Sequence, residues 1–270
     1  MQKTNKKLRL YTVFTTVTAL LLALYFLSST KISHNLLINY QAPNNQQDKA
    51  SLKLLKNESI NELVADTIND LFIIPEPLSI TYNTQHGPEY DAETRRILMP
   101  YFFIQEVKQR FIDDNYSESG VPINDAIMDV VIHTLLHELA HALIDIYDLP
   151  IVVKEEDAAD SLATMLLIEF FEDGQEIAIT AADLFDLESG NTQSFAEADF
   201  WDEHSLDVQR YYNTLCAVYG SAPEDYLELM KDAEFSDEKA EQCIDDYEQL
   251  YFSWMTLLKP HLKKTQLREF

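Results

Sequence analysis

Glycine occurs five times in the 270 residues, as Gly87, Gly120, Gly174, Gly190 and Gly220, no two of them close together. Tight two-residue hairpins need residues that accept positive φ, and phosphate-cradling loops need several glycines within a few residues. A dinucleotide-binding fingerprint and a Walker loop are therefore excluded, and the scarcity counts against a fold of many tight hairpins. A mainly α chain with a small β element is expected, of α+β class. With only Cys216 and Cys243 present, a four-cysteine zinc ribbon or an iron–sulfur cluster cannot form. Metal ligands must be sought among histidines and carboxylates.

Lys and Arg number 20 against 46 Asp and Glu, a formal charge of −26. The first 35 residues carry Lys3, Lys6, Lys7, Arg9 and Lys31 and no acid, so the body of the chain is more acidic still. Nucleic-acid affinity depends on basic side chains displacing counterions, so nucleic acid is excluded as a partner. The acidity itself reads as a solvated surface rather than as the mark of a basic substrate. Leu10 to Leu27 form an uncharged, apolar run behind the basic start, of a length at the lower limit for crossing a bilayer. Residues 1–30 therefore read as a signal anchor or a cleaved signal peptide. An anchor is favoured, because only the Ser28–Thr30 cluster resembles a cleavage site. The lysines keep the N-terminus in the cytoplasm and send the rest of the chain out of it, to a periplasm or cell envelope. In that oxidising space Cys216 and Cys243 are expected to pair.

Residues 31–57 are polar, with no periodic apolar face, and read as a linker; the folded domain is expected over 58–270. The stretch 57–72 repeats apolar residues at helical spacing before Pro75 and Pro77. Ser79–Tyr82 and Arg96–Met99 are short β-like runs expected to form a small hairpin or sheet edge. Helices are expected over Tyr101–Asp113, Ile123–Tyr147, Glu155–Glu172, Leu206–Tyr219, Glu224–Ala233 and Asp237–Leu258.

At the helix expected over Ile123–Tyr147, HTLLHELAHALIDIYD contains HExxH as His137, Glu138 and His141. Helical spacing puts the two histidines one turn apart on one side, where both imidazoles reach one ion, with Glu138 beside them to act on water. Ile132, Leu135, Leu136, Leu139 and Leu143 fall on the opposite stripe, so the leucines can be buried while the histidines face a cleft. A hydrogen-bonded structural pair is the alternative for the two histidines. The following helix, KEEDAADSLATMLLIEFF, offers the further ligand that a catalytic site of three protein ligands requires. Glu156 lies on the edge of its apolar stripe and Asp157 turns to the polar side, so Glu156 is preferred. Asp160, one turn later, is placed to accept the outer ring N–H of a ligating histidine. Glu155 is explained by the helix dipole alone.

HELAHALIDIYDLP followed by KEEDAAD resembles the bacterial putative metallopeptidase family that couples HExxH to a nearby EDxxD-type segment. Glu156 to Asp160 is also similar to the third-ligand motif of the gluzincins, where the Glu binds zinc and the Asp supports a ligand. The resemblance extends through WDEHSLDVQRYYNTLCAVYG to Cys243 and SWMTLLKPHL, and implies a zincin-like helical domain. It points to a zinc-dependent peptidase with Zn2+ on His137, His141 and Glu156 and with Glu138 as general base. His133, one turn before His137, is expected to be structural, because such a site has no vacancy for it. His204, near Arg210 and Tyr211, is the preferred donor to the oxyanion of the tetrahedral intermediate, balanced against a surface or capping role. The expected partners are a peptide or protein substrate and, through the N-terminal helix, a membrane. The strand at Arg96–Met99 is expected to offer an edge for an extended peptide. The competing functional class is a zinc-stabilised envelope interaction module without turnover.

Overall fold

In the computed structural model the residues described are 35–190 and 197–263. The membrane segment expected over residues 1–30 lies outside them. From Asn35 onward the chain contains a four-stranded mixed sheet and, among the described residues, nine α-helices. The strands are β1 (Leu36–Tyr40), β2 (Leu78–Tyr82), β3 (Glu89–Asp91) and β4 (Arg96–Met99), in the order β1-β2-β4-β3. β1, β2 and β4 run parallel, and β3 pairs antiparallel with β4. The helices are α1 (Gln46–Glu58), α2 (Ile60–Leu71), α3 (Tyr101–Asp113), α4 (Ile123–Tyr147), α5 (Glu155–Phe170), α6 (Gly174–Ser189), α7 (Asp207–Ser221), α8 (Leu227–Asp232) and α9 (Asp237–Leu258).

The stretch read as a linker is structured over most of its length. Leu36–Tyr40 form β1, and Gln46 begins α1 behind an Asn45 cap whose side chain accepts from the Asp48 N–H. β1 gains its partner from β2, with Leu36 opposite Leu78 and Tyr40 opposite Tyr82, and its end is held by Asn69, whose side chain bonds both the N–H and the C=O of Leu36. No local periodicity announces a short parallel edge strand, since its stability lies in a remote partner. α1 buries only Asp48, Ser51 and Leu55, which is why its composition looks solvated.

β2 and β4 do not form a hairpin with one another; they are parallel neighbours, and the hairpin joins β3 to β4. Parallel strands need a crossover between them, and the turn-rich segment after β2 supplies it together with β3. β4 is consequently internal, flanked on both sides, so Arg96–Met99 offers no free edge; the edges of the sheet are β1 and β3.

One helix was absent from the sequence reading. α6 begins at Gly174, where an added Cβ would lie 1.8 Å from the Leu167 carbonyl oxygen. Glycine lets the chain turn back onto α5 at that separation. α4 is long and apolar enough to cross a membrane by composition, yet it is the central core helix, with Leu135, Leu136, Leu139, Ala140 and Leu143 fully buried. It is buried on most of its circumference rather than on one stripe. Its histidine side is therefore covered in part by other elements.

Cys216 on α7 and Cys243 on α9 are joined by a disulfide, with Cα atoms 5.1 Å apart. Gly220, one turn after Cys216, lets the helices meet: an added Cβ would stand 2.2 Å from the Cys243 carbonyl oxygen.

Candidate metal centre

α4 supplies His137, Glu138 and His141, and α5 packs against it with Glu155, Glu156 and Asp160 in its first two turns. His137 Nε2 lies 3.1 Å from Glu156 Oε2, His141 Nε2 lies 3.3 Å from the same oxygen, and the two Nε2 atoms are 3.2 Å apart. Bonds of about 2.0–2.1 Å at tetrahedral angles set neighbouring donor atoms roughly 3.3–3.4 Å apart. The three donors thus form a triangle with the size of one face of a tetrahedral site, and their chemistry suits a borderline transition metal.

His204, in the irregular segment before α7, completes the cluster. Its Nε2 is 2.9 Å from Glu156 Oε2, and its ring stacks on that of His137 with centroids 6.3 Å apart. The donor atoms of His137, Glu156 and His204 all lie within 4.8 Å of one another. The backbone around His204 is tied to α5 by Lys154, whose ammonium donates to the Asp202 and His204 carbonyls at 2.9 and 3.4 Å.

The outer face of each α4 imidazole is held by its own carboxylate. Asp160 Oδ1 is 2.8 Å from His137 Nδ1, and Glu155 Oε1 is 2.8 Å from His141 Nδ1. With Nδ1–H donating outward to a carboxylate, each ring needs only to give up its Nε2 proton to present an inward lone pair, the tautomer a metal ligand needs. Glu155 thus has a partner that helix-dipole reasoning misses. Pairing two ring N–H groups with two nearby acids would have found it. Arg210 is the other residue missed in its present role. From α7 its Nε and Nη2 grip Asp160 Oδ2 and Oδ1 at 2.7 and 2.9 Å, and its guanidinium lies over the Phe185 ring at 3.9 Å. Nothing local in the sequence links Arg210 to Asp160, fifty residues earlier.

The electrostatics follow from this crowding. Burial opposes ionisation of Glu156, but hydrogen bonds from His137, His141 and His204 outweigh it and hold the carboxyl far below the usual range. Burial disfavours a charged His137, yet Asp160 and Glu156 push its pKa up to about 9. Three imidazoles thus converge on one carboxylate oxygen, a set of side chains that could hold a metal ion once the rings give up their inner protons. Glu138 is 7% exposed and belongs to a different environment. Burial raises its carboxyl, Glu156 adds to the rise, and His137 and His141 oppose it. Its carboxylate also accepts from the Tyr90 backbone N–H of β3. β3 is fastened to α4 again where the Tyr90 hydroxyl donates to Asp145 at 2.9 Å.

Asp157, the alternative third ligand, is not among these contacts; it lines a separate cavity of about 210 Å³ beside the disulfide. His133 is buried against the edge of Phe185, outside the donor cluster. A larger cavity of about 1010 Å³ opens from His137, Glu138 and His204 and runs between α3, α4 and α6.

Comparison with curated proteins and with solved structures returns no match. Residues 40–258, which span β1's last residue through the end of α9 and include every side chain of the centre, match the family DUF4344, described as "Putative metallopeptidase". An HExxH helix, a carboxylate from the next helix and a cleft reaching both are what that description leads one to look for, and the chain belongs to this family of putative metallopeptidases.

Proposed function

We propose that the protein is a zinc-dependent peptidase, exported from the cytoplasm and held at the membrane by its N-terminal segment. The reading is carried by the triangle of His137 Nε2, His141 Nε2 and Glu156 Oε2, with edges of 3.1–3.3 Å. These three side chains would hold the ion, and one position would remain for water and substrate. Zinc in such a site supplies Lewis acidity, lowering the pKa of water toward ~7 and polarising a carbonyl.

Glu138 takes the proton of the attacking water and returns it to the leaving amine. Its burial suits that work, because a carboxyl whose pKa is raised holds the proton it takes better than a fully solvated one. His204 donates from Nε2 to the oxygen of the carbonyl under attack, which develops negative charge in the tetrahedral intermediate. Asp160 and Glu155 hold the two imidazoles. Export is supported by the basic, then apolar, start of the chain and by the Cys216–Cys243 bridge, since disulfides persist in oxidising compartments.

A second reading draws on His204. Its contact with Glu156 at 2.9 Å offers a fourth protein donor, and sites closed by four protein ligands are structural. The interaction module without turnover would use the centre in this way. Glu138 and the cavity behind it favour the enzyme, because a structural site requires neither.

The test is elemental analysis combined with a casein or peptide-library assay on the full chain. About one zinc per chain is expected, with hydrolysis that Glu138→Gln abolishes while zinc and fold remain. Equal activity in parent and variant would remove the mechanism. Tight zinc without hydrolysis in either protein would favour the closed structural site.

A further inference from the structure

Past Glu138 the large cavity is of mixed character. Val130, Leu184 and Phe185 give it an apolar wall, while Glu106, Asp113, Asp114, Asp186 and Glu188 bring carboxylates to it. The guanidinium groups that reach it are those of Arg110 and Arg210. Arg210 is committed to Asp160, and Arg110 approaches Glu188 only to 3.9 Å. Asp113 accepts from Gln109 at 2.7 Å, a neutral donor. Five carboxylates therefore face one loosely paired guanidinium. Burial raises the Glu188 carboxyl, and repulsion from Asp207 and Glu106 adds to it against the pull of Arg110 and Arg210.

A second feature of the same wall is independent of this acidity. His133 lines the cavity, is 3% exposed, and its Nε2 has no hydrogen-bond partner. A buried polar atom left unpaired is costly, and folded proteins retain few of them. Burial keeps the ring neutral, so it can accept from an N–H group brought in by a ligand.

We infer that this cavity is the subsite for a basic side chain, arginine or lysine, next to the scissile bond of the substrate. The methylene stem lies along Val130, Leu184 and Phe185, as long cationic side chains do on apolar surface. The charged head reaches the carboxylates on α3 and α6, and an N–H meets His133. The inference rests on the peptidase reading for its direction, since the cavity opens at Glu138. It also assigns a use to part of the acidity that composition alone leaves as solvated surface.

The experiment measures binding without turnover. The full chain carrying Glu138→Gln is titrated, by fluorescence anisotropy, with a labelled alanine hexapeptide containing one central arginine and with its citrulline counterpart, an uncharged isostere. At low salt the arginine peptide is expected to bind at least about ten-fold more tightly, about 1.4 kcal/mol. The preference should shrink strongly near 1 M salt, where the screening length is about 3 Å. Asp186→Asn with Glu188→Gln is expected to bring the ratio close to one, and His133→Phe to weaken the arginine peptide. Equal affinity for the two peptides, no binding of either, or a ratio unchanged in the double variant would overturn the subsite. Cleavage by the parent is read separately. Hydrolysis without preference for basic residues sinks the subsite and leaves the peptidase standing, while charge-dependent binding without hydrolysis does the opposite.

Discussion

Asp160→Ala removes the one acceptor shared by the His137 Nδ1–H and the Arg210 guanidinium. Two separable losses follow. Asp160 and Arg210 have side-chain exposures of 16% and 15%, and breaking a buried ion pair by removing one partner costs about 3–5 kcal/mol because the other charge stays buried. At about 2–4 °C per kcal/mol for a domain of this size, the melting temperature of the metal-free protein should fall by roughly 6–20 °C. Independently, His137 loses the contact that fixes its tautomer, which lowers metal affinity by about 10–100-fold. The double variant Asp160→Ala with Arg210→Met parts the two effects. Replacing both charges by apolar groups is close to neutral for stability, and methionine keeps contact with Phe185, so most of the lost melting temperature should return. Zinc affinity should not, because the acceptor at His137 Nδ1 is still missing. Thermal unfolding of metal-free protein and competitive titration against a chelator read the two quantities. A double variant that binds zinc as tightly as the parent would refute the role given to Asp160, and one as unstable as Asp160→Ala would refute the ion-pair account.

Four further outcomes are expected. Glu156→Ala should deplete bound zinc whereas Asp157→Ala should not; the reverse pattern in elemental analysis would transfer the third ligand to Asp157. Glu138→Gln should lower kcat by at least about 10²-fold, the usual range for a general acid–base group, with zinc content unchanged. Asp129 has its pKa raised from 3.8 to about 6, by burial first and then by Asp125, Asp173 and Glu176 against the Thr180 hydrogen bond. A carboxyl that holds its proton more tightly when folded stabilises the fold at low pH, and that contribution is lost as pH rises from about 4 to 6. Asp129→Asn should flatten the stability profile across this window, with a gain on the order of 2 kcal/mol above pH 6; a denaturant titration at several pH values with unchanged slope would count against it. Reducing Cys216–Cys243 should lower stability by roughly 3–4 kcal/mol on the chain-entropy account, measurable by chemical denaturation with and without reductant.

How much of this molecule could be read without coordinates differs between its parts. HExxH is legible because about 3.6 residues per turn place His137 and His141 together whatever surrounds the helix. Glu156 and Asp160 were legible because the same periodicity orders them on the next helix, and the wheel separates Glu156 from Asp157. The boundaries of Tyr101–Asp113, Ile123–Tyr147 and Asp237–Leu258 agree with α3, α4 and α9, since Pro100, Pro122 and Ser236 mark their starts locally.

The remainder depends on contacts between segments distant in sequence. β1 is a strand because β2 pairs with it, and β4 is internal because β3 folds back on its far side; neither fact has a signal within the strand itself. α6 stands where Thr180, the isoleucines and a starting glycine weaken the local helical signal, and packing overrides propensity. Arg210 reaches Asp160 across fifty residues, and His204 meets Glu156 from a segment without regular structure. The sequence by itself determined which histidines and carboxylates stand together on each helix, because helical spacing is a property of adjacent residues. Only the tertiary structure decided what holds those groups, and which carboxylates gather around the cavity behind them, because burial and long-range ion pairing exist only once separate helices have packed together.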